Sequence, residues 1–404
     1  MTDDQSDMAD LEEKLSFDAA SGWHEVDRDA VEEVADRYKE FLSAAKTERE
    51  AVDTIVEEAE EAGFSSLDEL DAYEDGMKVY AVNRGKMVVL ARLGASPDNA
   101  RVTVSHVDSP RLDLKQQPLY EEADLALMDT HYYGGIKKYQ WLNVPLALHG
   151  TVVDAEGEKH RVVIGEDKDD PVFLVPDLLP HLSKEQLKEE LKDAIEGEDL
   201  NMIVGNLPVD DDEVEEQVKL QVLRHLHEEY GFEEKDLVSA EFEAVPAMEP
   251  RELGFDRSMI AAYGQDDRSC SFATMEAMLD TETEGTAIAV FVDKEEIGSE
   301  GNTSAQSRFL ERFVSRLLEL DDDGRVHGGV HAVMGSMEVL STDVSAGVNP
   351  TFEEVHDTKN AMNLGQGVSL VKFTGSGGKY AANDAHAEFV GKVRRLLDEE
   401  DVPW

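Results

Sequence analysis

The sequence predicts an α/β protein, a central sheet covered on both faces with a β-rich section inserted into it. Three observations carry this. Thr286-Ala-Ile-Ala-Val-Phe-Val292 is an apolar, β-branched and aromatic run without polar alternation, the pattern of a strand buried on both sides. Charged residues fall at the C-terminal ends of several strand-like runs, and in open α/β sheets that edge is where ligands bind. Between about 112 and 241, turns, short strands and acidic helical stretches replace the long buried runs. This divides the chain into 1–111, an insertion over 112–241, and 242–404.

With 404 residues and 41% hydrophobic content the chain can bury a sizeable core. Its apolar runs are far short of the roughly 18 residues that span a bilayer. Met1-Thr-Asp-Asp lacks the basic and apolar parts of a signal peptide, so the sequence places the protein in the cytoplasm. Asp and Glu number 90 against 38 Lys and Arg, a net charge of −52 spread from end to end. Nucleic acid and anionic membranes would be repelled, which excludes both as partners. The same charge opens a fold in dilute buffer, but at about 1 M salt the Debye length falls to about 3 Å and the repulsion is screened. A salt-rich, halophilic setting is expected. The single cysteine, Cys270, can form neither an internal disulfide nor a thiolate metal site.

In chain order, residues 9–64 show helical spacing with acidic faces, as in Val31, Val34, Tyr38, Phe41 and Leu42. Residues 77–92 form two strands joined by Asn83-Arg84-Gly85, a hairpin signal. Arg101-Val-Thr-Val-Ser-His106 is a strand that delivers His106 and Asp108 to its end, where the aspartate can fix the imidazole tautomer. His-x-Asp alone reads more readily as a structural histidine. The insertion contains Lys184–Glu196 and Glu213–Glu229 as acidic helices. Val238–Ala244 and Met259–Tyr263 return to strands, and Gly264-Gln-Asp-Asp-Arg268 precedes a helix over Ser269–Leu279. Aspartates there also serve as ordinary caps. A helix over Thr303–Leu320, a strand at His331–Met334, a strand ending near Asp343, a strand over Val368–Phe373 and a helix from Asp384 to Glu400 complete the chain.

Adjacent Glu295 and Glu296 repel one another unless a cation or a shared proton compensates, although a solvated charge run is the plain alternative. Together with His106, Asp108, Asp266 and Asp343 they make a ligand set of one histidine and mixed carboxylates. Such a set suits a pair of divalent ions such as Zn²⁺, Mn²⁺ or Co²⁺. In two-metal hydrolases one carboxylate bridges the ions and another, unligated, takes a proton from the attacking water. Two neighbouring glutamates fit a division into base and ligand.

His106-Val-Asp-Ser-Pro-Arg111, Thr130-His-Tyr-Tyr-Gly-Gly-Ile-Lys-Lys-Tyr-Gln-Trp141, Gln265-Asp-Asp-Arg268, Glu295-Glu-Ile-Gly-Ser299 and Ser341-Thr-Asp-Val344 occur in that order. Together they resemble the aspartyl aminopeptidase family in its bacterial and archaeal branch, over most of the chain. The resemblance implies a phosphorylase/hydrolase-like three-layer α/β core interrupted by a β-rich lid and dimerisation domain, peptide substrates, and self-association into a dodecamer. It implies two metal ions, with zinc foremost. His106 and Asp343 would hold one, Asp266 would bridge, Glu296 would hold the second, Glu295 would be the general base, and Asp108 would orient His106. His181, in Pro176-Asp-Leu-Leu-Pro-His-Leu182, matches a family histidine that reaches a neighbouring subunit's active site.

The sequence also departs from the family. Members continue past the equivalent of Val402-Pro-Trp404 to a last histidine on the second metal, so on this reading the chain is truncated and the second site incomplete. His386 lies in a different motif context and is not put in its place. Where acid-selective members carry a lysine, the alignment places Gln366, which leaves the preference for N-terminal Asp or Glu open. The leading function is a metalloaminopeptidase. A catalytically impaired subunit that keeps only fold and assembly is the alternative, and a related deacylase or carboxypeptidase comes third.

Overall fold

The structure is a computed structural model that describes residues 21–154, 156–321, 329–372 and 385–404, with 8, 11–12, 14–17 and 19 before them. In chain order the strands are β1 (Ser65–Ser66), β2 (Lys78–Asn83), β3 (Met87–Arg92), β4 (Arg101–His106), β5 (Arg111–Glu122), β6 (Leu125–Tyr133), β7 (Leu146–Val153), β8 (Lys159–Ile164), β9 (Met202–Gly205), β10 (Glu241–Pro246), β11 (Arg251–Leu253), β12 (Met259–Ala261), β13 (Ala287–Val292) and β14 (Glu338–Ser341). The α-helices are α1 (Arg28–Ala44), α2 (Glu48–Glu61), α3 (Gln217–Tyr230), α4 (Glu234–Leu237), α5 (Gln265–Asp280), α6 (Phe309–Glu319), α7 (Gly329–Ser336) and α8 (Ala387–Glu399).

The first sheet has the order β1-β2-β3-β13-β4-β14. Its central strand β13 pairs antiparallel with β3 and parallel with β4. The unbroken apolar run of β13 is explained by what covers it. Ile288, Val290 and Val292 pack on one face with Phe309, Phe313 and Leu317 of α6 and Val333 of α7. Ala289 and Phe291 pack on the other with Phe41, Ile55, Phe272 and Met275 from α1, α2 and α5. This is the three-layer α/β core. Burying Phe291 completely contributes about 1.5–3 kcal/mol. The hairpin β2–β3 closes with positive φ at both Arg84 and Gly85.

The second sheet has the order β8-β7-β10-β5-β6-β9, so its strands run from Arg111 to Pro246. Leu112, Met128, Leu148, Val162, Met202 and Phe242 form its core together with Val218 of α3. A separate antiparallel pair, β11–β12, follows it.

By its contacts the chain divides into two compact units, Arg37–Val344 and a smaller one made of the residues up to Asp36 with Ser345–Trp404. Both sheets belong to the first. The second contains α8, a Phe17–Trp404 ring stack at 4.7 Å between centroids, and a backbone bond from Gly22 to the carbonyl of Gly365.

Several elements differ from the sequence expectation. His331–Met334 is not a strand but part of α7, because Val330, Val333 and Met334 recur at helical spacing and turn toward α6. A short apolar run does not separate these alternatives. Lys184–Glu196 is not a helix but holds a 3-10 turn over Gln186–Lys188 that buries no residue; Leu187 and Leu191, which fall at helical spacing, stay exposed. The helix expected from Thr303 starts at Phe309, as the Thr303 hydroxyl donates to Asp293 instead. Residues 368–372 carry no strand; Phe373 lies outside the described residues.

Candidate metal centre

Register in the first sheet brings the candidate residues together. Val292 of β13 lies opposite His106 at the end of β4, and Ser341 of β14 lies opposite Val104. All three strands are parallel, so His106, the turn after Val292 and Asp343 share one sheet edge. That turn is a 3-10 segment, Glu295–Ile297, bracketed by Lys294 (φ 69) and Gly298 (φ 100). Its base is anchored by Asp293, which is buried and accepts a 2.6 Å hydrogen bond from Thr303.

The His106 ring is 3% exposed, and its Nε2 faces Asp266 Oδ1 at 3.2 Å, Asp343 Oδ1 at 3.8 Å and Glu295 Oε2 at 3.9 Å. On its other side Nδ1 lies 3.0 Å from the carbonyl of Asp108 and 3.4 Å from Asp108 Oδ1. Asp108 is wholly buried. Its carboxylate accepts the backbone N–H of Glu295 at 3.1 Å, the N–H of Glu296 at 3.2 Å and the Tyr133 hydroxyl at 2.8 Å. Asp266 and Asp267 sit at the start of α5, where the backbone leaves helical geometry at both residues. Arg268 donates to the Ser109 hydroxyl, which in turn donates to the Asp266 carbonyl at 2.6 Å. Asp343 follows β14 directly.

Asp267 was not singled out from sequence. It is fully buried, its Oδ2 accepts the His106 N–H at 3.4 Å, and His106, Asp267 and Asp343 each bring a ligand atom within 4.8 Å of the others. The adjacent aspartates were the available signal. Tyr133 was missed because its link to Asp108 depends on strand pairing. His181 is exposed on the turn at 180–182 and takes no part in this cluster among the described residues. His386 belongs to the other unit.

The electrostatics are lopsided. Burial and then the Asp266 charge push Glu296 up to about 7, and burial pushes Asp267 up to about 7. Burial also raises Glu295, with Asp343 and Asp108 adding to it against the pull of His106. For His106 burial opposes protonation, but hydrogen bonds to Asp108, Asp266 and Asp343 outweigh it and raise its pKa. Among the described residues no lysine or arginine forms an ion pair with Asp266, Glu295, Glu296 or Asp343. A carboxylate-rich, half-open site around one imidazole and without a cation of its own fits divalent metal ions.

Residues 41–404 match the family described as aminopeptidase I zinc metalloprotease (M18). The chain belongs to the M18 family. The probable M18 family aminopeptidase 1 of Thermotoga maritima is 45% identical over 391 residues, covering 96% of this chain and 86% of the relative. The probable M18 family aminopeptidase 1 of Clostridium acetobutylicum is 44% identical over 394 residues, covering 95% and 84%. The crystal structure of the Thermotoga maritima M18 aminopeptidase superposes with a TM-score of 0.92 at 44% identity, covering 96% of this chain and 86% of that one. The yeast aminopeptidase 1 dodecamer shares the fold at 24% identity, with a TM-score of 0.64 over 83% of this chain and 76% of that one. This M18 protein is a zinc-family metalloaminopeptidase, a hydrolase, and the reading as a mere assembly subunit is not favoured. No helix among the described residues is long and apolar enough to cross a membrane.

Proposed function

We propose that this M18 metalloaminopeptidase cleaves N-terminal residues from peptides, acidic ones being the first substrates to try, with two divalent ions, zinc foremost. His106 and Asp343 would hold one ion, Glu296 the other, and Asp266 would be shared between them. The observation that carries this is the His106 Nε2 facing Asp266, Glu295 and Asp343 within 4 Å, with no lysine or arginine among the described residues paired to them. Bound there, divalent ions supply Lewis acidity toward the scissile carbonyl and acidify water. Glu295 is the general base. It takes the proton of the attacking water and returns it to the leaving amine. Asp108 holds the His106 ring through Nδ1 so that Nε2 stays turned to the site.

The test separates the two glutamates. Glu295→Gln is expected to lower turnover by about 10²–10⁴-fold with metal content unchanged, and Glu296→Gln to lose metal. The reverse pattern would exchange their roles. Metal analysis of the 404-residue chain counts the ions directly.

The second sheet is proposed as the lid and dimerisation insertion. Self-association is supported by Leu178, Leu179, Leu182, Leu187 and Leu191, all more than half exposed on one stretch around His181. Mass photometry reads the assembly. The net charge of −52 supports a salt-rich cytoplasm, so the thermal midpoint should rise between dilute buffer and molar KCl; equal midpoints would refute it.

A further inference from the structure

We propose that Tyr133 is a positioning residue for this metal centre. Its hydroxyl, delivered by the second sheet, fixes Asp108, and Asp108 fixes both His106 and the Glu295–Glu296 turn. The proposal rests on the reading of Asp108 as the group that orients His106.

Tyr133 ends β6 and stands opposite Arg111 in the ladder with β5. The Arg111 guanidinium lies over its ring at 3.8 Å from the centroid. Its hydroxyl donates to Asp108 Oδ2 at 2.8 Å. A wholly buried carboxylate needs donors on both oxygens, since water cannot supply them. The N–H groups of Glu295 and Glu296 provide two, and both belong to the turn being positioned. Tyr133 is the side-chain donor that comes from the other sheet and does not move with that turn. The next residue adds an independent contact. A Cβ on Gly134 would meet Cβ and Oε2 of Glu296, each at 3.2 Å, so the end of β6 packs against that side chain directly. Without the hydroxyl, Oδ2 keeps only the longer 3.2 Å amide contact, and the carboxylate is free to rotate away from the His106 ring.

Tyr133→Phe keeps the ring and its stacking on Arg111 and removes one oxygen. Its kcat should fall about 10–100-fold with KM and thermal midpoint near those of the wild type. Co²⁺ titration, followed by absorption on metal-stripped protein, should show weakened affinity or an altered spectrum before any substrate is added. In an Asp108→Asn background the same substitution should have almost no further effect on either readout. If Tyr133→Phe matches the wild type in kcat and Co²⁺ spectrum while Asp108→Asn is impaired, the proposal falls and the reading of Asp108 stands. Wild-type behaviour in both single variants would overturn both. An undiminished Tyr133→Phe effect in the Asp108→Asn background would also overturn the proposal, because the hydroxyl would then act through some other group.

Discussion

Two regions of the larger unit gather carboxylates and differ in what balances them. At the proposed metal centre, Asp266, Asp267, Glu295, Glu296 and Asp343 surround a single imidazole. In the seam between α2 and the second sheet, the carboxylates carry their own cations. Glu48 meets Lys86 at 2.7 Å and Arg111 at 3.4 Å, Asp113 and Glu243 meet Arg111 at 2.8 and 3.2 Å, and Glu166 meets Lys46 at 2.6 Å. Burial opposes ionisation of Glu48, but Arg111 and Lys86 outweigh it and hold its carboxyl below the usual range, whereas burial raises Asp113 and, with the Glu48 and Asp113 charges adding to it, holds Glu243 well above that range. In the seam each of these carboxylates has a lysine or arginine within 4 Å, whereas among the described residues those of the centre form no such pair. Acidity alone therefore does not mark a metal site. The missing counter-charge is what supports the metal reading here.

The comparison breaks most sharply at Arg111. Arg111→Leu would leave Glu48, Asp113 and Glu243 facing one another in the seam, and removing one member of a buried ion cluster costs about 3–5 kcal/mol. A urea midpoint close to that of the wild type would show that the seam does not depend on its cation. At the centre the balance comes from outside. Zn²⁺ added to chelator-treated protein at about a hundred times its Kd should stabilise it by about 2.7 kcal/mol, seen as a higher thermal midpoint. Asp343→Asn should lose most of that gain, and Glu241→Gln at the rim of the seam should keep it. Equal loss in both variants would erase the distinction.

The sheet was legible because its physics is local. A strand covered on both faces has no polar alternation, and the run from Thr286 to Val292 states this outright, with the helices over Ser269–Leu279 and near Phe313 close behind. The positions of His106, Glu295 and Asp343 at run ends were also local, and parallel pairing of β13, β4 and β14 makes those ends adjacent. The remainder depends on partners far along the chain. Nothing around Tyr133 announces that its hydroxyl meets a residue 25 positions earlier, and Asp267 is distinguished from Asp266 only by which way α5 begins. The seam was invisible for the same reason, since nothing local to Glu48 or Glu243 shows that Arg111 and Lys86 reach them. His331–Met334 went wrong where an apolar run was too short to show its period.

The smallest expected effect sits within the seam, at His149, and its sign can be worked out. The ring is 4% exposed and lies between Glu50, 2.7 Å from Nδ1, and Glu166, 3.0 Å from Nε2. Glu50 is held in place by a capping box with Thr47 at the start of α2, and Glu166 is also bound by Lys46. For His149, burial opposes the charged form, but hydrogen bonds to Glu166 and Glu50 outweigh it and raise the pKa above the ordinary 6.5. A raised folded-state pKa means that the stabilisation is complete below about 6.5 and fades as pH climbs through the folded value. For Glu50 and Glu166 burial again opposes the shift, His149 and other donors prevail, and both pKa values are lowered from 4.5. Their contribution is complete above about 4.5 and fades as pH falls. The three act together between roughly pH 4.5 and 6.5, so the stability gap between wild type and His149→Gln should be widest there, on the order of 1 kcal/mol, and should narrow toward alkaline pH. Denaturant titrations at pH 6 and pH 9 measure it. A gap that widens with pH would mean that the imidazole is buried neutral, and the seam would then share the centre's shortage of positive charge.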